Sequence, residues 1–232
     1  MRYCLLFCCL LPVLLCGQVP DSTKAIQRLQ VGVGYGMMDY SVDFLPTADV
    51  EPLRGNNLGL QLRYFDNKLV GFQAALNYVQ AGWRETIDTT FSTFYERQTN
   101  YLEVQLLTQL SIGKGAVQPL LQAGPYVSFP LSEMETVPPE YVAPENPPLP
   151  FYYDFPLPFR INYGLQIGAG LNLELGPLTV QIDGRYLIGF SDLIRTGTTV
   201  AATSRRAGVG GRVGLFYTIN QQPATSNQQP DN

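Results

Sequence analysis

INYGLQIGAGLNLEL, residues 161–175, decides the fold. Ile161, Tyr163, Leu165, Ile167, Ala169, Leu171, Leu173 and Leu175 share one parity, while Asn162, Gly164, Gln166, Gly168, Gly170, Asn172 and Glu174 share the other. Successive side chains of a strand point to opposite faces, so this run predicts a strand with one continuous apolar face and one small, polar face. The same alternation recurs in LQVGVGYGM from Leu29, LGLQLRY from Leu58, VGFQAALNY from Val70 and LEVQLLTQL from Leu102. It recurs again in LTVQIDGRYLI from Leu178 and VGGRVGLFYTI from Val209, and more weakly between Val117 and Phe129. That makes eight candidate strands, with no helical period between them.

The connections alternate in length. Asp66-Asn67-Lys68, the stretch at Gly113-Lys114-Gly115 and Gly176-Pro177 are tight turns of suitable composition. The other four connections, about 41–56, 85–96, 130–160 and 190–205, are long. Short turns on one side and long loops on the other are the form of an outer-membrane barrel, and strands of this length suffice to cross a bilayer at a tilt.

A soluble barrel also alternates, with its apolar face inward. Three features select the opposite sense. A water-facing exterior would be rich in Lys and Glu, whereas the polar parity here holds Gly, Gln, Asn, Arg and few acids. Tyr40, Tyr64, Phe65, Tyr78, Trp83, Tyr101, Phe129, Tyr163, Phe190 and Tyr217 fall near strand ends, as interfacial aromatic belts require. The chain also opens with MRYCLLFCCLLPVLLCGQ, whose basic start and short apolar core predict an export leader cleaved near Gln18. The apolar run is too short to span a membrane as a helix, and Leu14 and Leu15 stand where lipidation of Cys16 would want small residues.

The expected class is therefore all-β, an eight-stranded antiparallel up-and-down transmembrane β-barrel in the cell outer membrane. Its parts are a leader at 1–17, a lead-in at 18–28, the barrel at 29–220 and a disordered periplasmic tail at 221–232.

All four cysteines (Cys4, Cys8, Cys9 and Cys16) lie in the leader, and the chain has no histidine. Thiolate chemistry and His-based triads are thus excluded from 18–232. Formal charge is -4, becoming -5 once Arg2 leaves with the leader, and no basic stripe suits a nucleic acid. No cofactor or metal site is expected.

The polar parity places Arg63, Glu103, Glu174, Asp183, Arg185, Arg206 and Arg212 inside the barrel. Eight strands leave an interior just wide enough for side chains to fill. An ion-paired plug is the expected use of these charges, with inward glycines making room for the arginines; a narrow ion path or proton relay is the alternative. The connection at 130–160 is dense in proline and carries Tyr141, Phe151, Tyr152, Tyr153, Phe155 and Phe159. So apolar a loop must either fold back over the barrel mouth or its lipid rim, or dock a partner, and a folded-back cap is the expectation. Besides lipid, the candidate contact is another envelope protein, met through loop 130–160 or tail 221–232.

From Tyr101-Leu102-Glu103-Val104-Gln105-Leu106-Leu107, through Gly113-Lys114-Gly115 and Pro119, to Gly124-Pro125-Tyr126, the chain resembles the PorT-like outer-membrane β-barrel family of Bacteroidota. Gln105 stands where that pattern has proline. The resemblance implies the barrel fold and offers membership of a secretion or surface-assembly complex as one role. A non-enzymatic scaffold or binding barrel is the leading reading. A His-free hydrolase using loop acids such as Asp43, Asp49 and Glu51 is the remote one.

Overall fold

The computed structural model describes residues 26–45, 50–66, 69–86, 88, 90, 93–113, 115–142, 153, 160–194 and 202–223. Eight strands occupy almost all of them: β1 Ile26–Leu45, β2 Val50–Phe65, β3 Val70–Glu85, β4 Tyr95–Ser111, β5 Val117–Thr136, β6 Asn162–Leu175, β7 Leu178–Asp192 and β8 Thr203–Pro223. Each pairs antiparallel with its sequence neighbours, and β1 pairs with β8, so the sheet closes into a barrel. The expected all-β, eight-stranded up-and-down barrel is the observed fold.

Tight hairpins define a turn end. At Gly176-Pro177 the glycine sits at φ 66°. Pro177 is held near φ -65°, so only the first turn position is left-handed, which is the requirement of a type II′ hairpin. The opposite end carries the long connections and is the loop end.

Parity sorts the side chains. Val31, Val33, Leu58, Leu60, Leu76, Val104, Leu106, Ile182, Val213 and Leu215 are exposed on the outside. Gln30, Gln61, Arg63, Gln73, Asn77, Gln105, Gln181 and Arg212 are buried inside. Only a hydrocarbon solvent makes this sense of burial favourable, and only a closed ladder satisfies the backbone there.

Above this band the parity is kept but its meaning reverses. In β1 the outward residues after Met37 are Asp39, Ser41 and Asp43, while the inward Met38, Tyr40, Val42 and Phe44 are buried. In β2 the outward face changes from Leu58 to Asn56 and Arg54, and in β3 from Tyr78 to Gln80 and Arg84. The lipid edge is therefore written on the wall, and the barrel continues past it into water with a conventional apolar inside.

Three expectations need correction. The long connections are shorter than 41–56, 85–96, 130–160 and 190–205, because β1 runs to Leu45, β3 to Glu85, β5 to Thr136 and β7 to Asp192. The ladder does not stop where the outward face turns polar, since water accepts polar side chains on a strand as readily as on a loop. For the same reason β1 begins inside the expected lead-in, and β8 reaches Pro223 by pairing Gln221, Gln222 and Pro223 with Arg28, Gln27 and Ile26. Residues 224–232 of the expected tail lie outside the described residues. Finally, Tyr40, Phe65, Trp83 and Tyr101 face inward and are buried, so they belong to the interior and not to lipid belts. Tyr64, Tyr78, Phe129, Tyr163, Phe190 and Tyr217 do face outward.

Leu60 sits in the middle of the apolar band, between Val33 and Leu76, and is 64% exposed. Leu60→Arg is expected to destabilise the barrel by about 2–4 kcal/mol, whereas Asn56→Arg, above the band, should cost about 1 kcal/mol or less. Urea unfolding in lipid vesicles, followed through the fluorescence of Trp83, the chain's one tryptophan, checks both.

Candidate functional site

The interior is filled in storeys. At the turn end Arg28 pairs with Glu174 at 2.6 Å. Arg63 lies above them with its guanidinium 3.6 Å from the Phe216 ring and 5.7 Å from that of Phe65. It donates to Gln73 at 3.3 Å, to Gln30 at 3.4 Å and to Gln181. A cation stacked on rings and hydrogen-bonded to amides is held without a carboxylate. Gly32 is what admits Phe216: a Cβ there would come within 2.6 Å of the ring.

The middle storey centres on the ion pair of Asp183 with Arg185. Asp183 also accepts from Gln122 at 2.8 Å and Gln181 at 2.6 Å. Arg185 donates to Gln105 at 3.3 Å, and Gln105 donates to Glu103 at 2.7 Å and Gln166 at 2.9 Å. Arg212 crosses over Gly34, where a Cβ would meet its Nε at 2.5 Å, and donates to Asn77 at 2.9 Å.

In the upper storey Glu103 pairs with Arg206 and accepts from the Ser128 hydroxyl. The rings of Tyr101, Tyr126 and Tyr40 surround the Arg206 guanidinium at 4.9, 5.0 and 5.6 Å. One hydrogen-bonded network thus runs from Arg63 through Gln181, Asp183, Arg185, Gln105 and Glu103 to Arg206. The structure brings six of the seven interior charges together at bilayer depth and places Glu174 at the turn-end rim. The expected ion-paired plug is only partly ionic. Among the described residues Arg63 and Arg212 have no carboxylate within ion-pairing distance, because neighbouring amides take that place.

Above the lipid edge the inward side chains form a second core that the sequence reading missed. Val42, Phe44, Trp83, Tyr95, Leu193 and Ile194 are buried together, with Val50, Val137 and Tyr153 packed against them. Phe44 meets Trp83 edge-on at 5.7 Å, and Tyr95 meets Tyr153 at 4.6 Å. Arg97, fully buried, pairs with Glu133 at 2.9 Å and Glu135 at 2.7 Å. Tyr95 donates to Glu135 at 2.8 Å, and burial pushes its phenol above the usual tyrosine range. The available signal was the unbroken parity of Tyr40, Val42 and Phe44 beyond the last outward apolar residue.

Of the candidate loop contacts, Tyr153 folds back onto this core and donates to Glu85, with Tyr141 5.4 Å from its ring. Phe151, Tyr152, Phe155 and Phe159 lie outside the described residues, as does Asp49. Asp43 and Glu51 are exposed on the outer wall. Among the described residues no three His, Cys, Asp or Glu side chains gather as a metal ion would require.

Glu103→Gln leaves Arg206 buried without its carboxylate and should cost about 3–5 kcal/mol of unfolding free energy, while adding Arg206→Met should recover most of that loss. Comparing the two variants in the same unfolding experiment checks the pair. Tyr153→Ala removes the ring over Tyr95, so acrylamide should quench Trp83, which is 1% exposed, more strongly with little change in the unfolding midpoint.

Residues 18–195 match the family model described as "Outer membrane protein beta-barrel domain". Comparison with curated proteins found no match. Solved structures with a similar chain path include OprG of Pseudomonas aeruginosa, at 11% identity over 85% of this chain and 97% of that one, TM-score 0.50. Neisserial surface protein A is 11% identical over 82% and 97%, TM-score 0.44. Ail of Yersinia pestis is 16% identical over 81% and 98%, TM-score 0.38. Such identities bear on the fold alone. With the family match covering most of the sequence and all eight strands closed in a ring, the chain belongs to the outer membrane protein beta-barrel domain family.

Proposed function

We propose that this protein is a non-conducting, non-enzymatic outer-membrane scaffold that presents its loop end to the cell exterior as a binding surface. The observation that carries the reading is the double closure of the lumen. Arg63, Phe65 and Phe216 fill it near the turn end, and the core around Trp83, with Tyr153 upon it, fills it at the loop end. A barrel of eight strands has little room to begin with. The same closure leaves a substrate nowhere to reach the interior carboxylates, and residues 18–232 contain neither His nor Cys.

The orientation follows the family habit of short periplasmic turns and long exterior loops. Export by a leader cleaved near Gln18 fits a family match that begins at residue 18. The Tyr101–Leu107 motif supports a place near the PorT-like branch.

In planar bilayers the refolded protein should give no sustained current steps under applied voltage. Steady, large conductance would overturn the closed-lumen reading.

A further inference from the structure

Of the four buried arginines at bilayer depth, Arg212 is the one with neither a carboxylate nor an aromatic ring against its guanidinium among the described residues. It is 4% exposed. Its Nη2 donates to Asn77 Oδ1 at 2.9 Å and to the Gly34 carbonyl at 3.5 Å. Its Nε and Nη1 have no partner, and neither has the Nδ2 of that same Asn77, which is 0% exposed. Glycines bring the pair together. A Cβ at Gly34 would lie 2.5 Å from Arg212 Nε, and one at Gly59 would lie 2.2 Å from Asn77 Oδ1.

Two glutamines join Arg212 to Arg63. One end of the Gln61 amide lies 2.9 Å from Arg212 Nη2 and 3.2 Å from the Gly34 backbone nitrogen, and the other lies 2.8 Å from Gln73 Nε2. The far end of the Gln73 amide lies 3.3 Å from Arg63 Nη2. A side-chain amide has its acceptor at one end and its donors at the other, and a guanidinium only donates. A chain of two amides between two guanidiniums must therefore set donor against donor at one point. Turning either amide moves that point but does not remove it.

Two shortages thus coincide. Acceptors are short around Arg212, and negative charge is short at the same depth, where Arg63, Arg185, Arg206 and Arg212 face Glu103 and Asp183. A water molecule would bring an acceptor but also two more donors and no charge. An anion brings acceptors and charge together, and the narrowness of an eight-stranded lumen limits its size. We propose that Arg212 and Asn77 bind a small monovalent anion of halide size inside the barrel as a structural counter-ion. While Gln73 serves Arg63, Gln61 sets a donor against a donor in either orientation, so it is the side chain that swings aside to admit the ion. The inference goes beyond the scaffold reading, since the ion can be held whether or not the loop end binds a partner.

The test unfolds the full chain with urea in phosphatidylcholine vesicles, followed through Trp83, while chloride replaces gluconate at constant ionic strength. Gluconate is too large for the lumen. Above the dissociation constant, the unfolding equilibrium constant should fall by about tenfold for each tenfold rise in chloride. Arg212→Met should abolish that dependence, whereas Arg54→Met, at an exposed ion pair on the outer wall, should keep it. In crystals grown with bromide, anomalous scattering should place an ion within hydrogen-bonding reach of Arg212 Nη1 and Asn77 Nδ2. A wild type whose stability ignores chloride would overturn the proposal, as would an Arg212→Met variant that responds like wild type. A bromide peak at the site without chloride dependence would mark an adventitious ion only, and would overturn it too. If Arg212→Met fails to fold, the bromide position decides, and a lumen without an ordered ion sinks the idea.

Discussion

The governing constraint is the backbone. Inside a bilayer no water is available to any N–H or C=O, so every such group must find a partner within the protein. The β1–β8 seam, running from Ile26–Pro223 to Leu45–Thr203, meets that demand by removing the last free edge. Once the ring is closed, parity alone assigns every side chain to lipid or lumen. Eight strands then leave a lumen so narrow that glycine at positions such as Gly34 is needed before Arg212 can lie across it. Composition, closure and the filled interior are thus one consequence taken at three scales.

Where the constraint lapses, the structure changes character. Above the lipid edge water can satisfy a strand, and among the described residues the β1–β2 ladder ends at Tyr40–Leu53 and the β5–β6 ladder at Ser128–Asn162. Side-chain burial reverses at the same level, with Phe44, Trp83 and Leu193 turned inward and the outward Asp39 paired to Arg54 at 2.8 Å. That exposed guanidinium holds the Asp39 carboxyl below its ordinary range. Two solvents thus act on one continuous sheet, and each selects its own pattern.

The strands were legible because lipid forces their outer residues to be apolar at every second position. The loop-end extensions were not. Asp39, Ser41 and Asp43 read as loop when strands are sought by an apolar outer face, although Tyr40, Val42 and Phe44 carried the same parity onward. The interior charges were legible by parity too, but not their partners. Glu103 on β4 reaches Arg206 on β8 across the lumen, a pairing set by barrel diameter and not by sequence spacing. Glu174 found Arg28, a residue outside the alternating run that began at Leu29. Arg97 and the core around Trp83 were missed because they belong to the second solvent regime.

The unequal charges of the storeys follow from the same division. At bilayer depth four buried arginines (Arg63, Arg185, Arg206 and Arg212) face two carboxylates, Glu103 and Asp183. Burying a cation without a counter-charge is costly. Rings beside Arg63 and Arg206, and amides beside Arg63 and Arg212, spread that cost without adding an acid. An excess of fixed positive charge in a narrow lumen repels cations even where a water molecule can enter. Above the lipid edge the described acids, ten from Asp39 to Asp192, outnumber the five described arginines Arg54, Arg84, Arg97, Arg160 and Arg205, so a cation drawn to the loop end meets a rising barrier just below it. The barrier in the lumen is therefore electrostatic as well as steric.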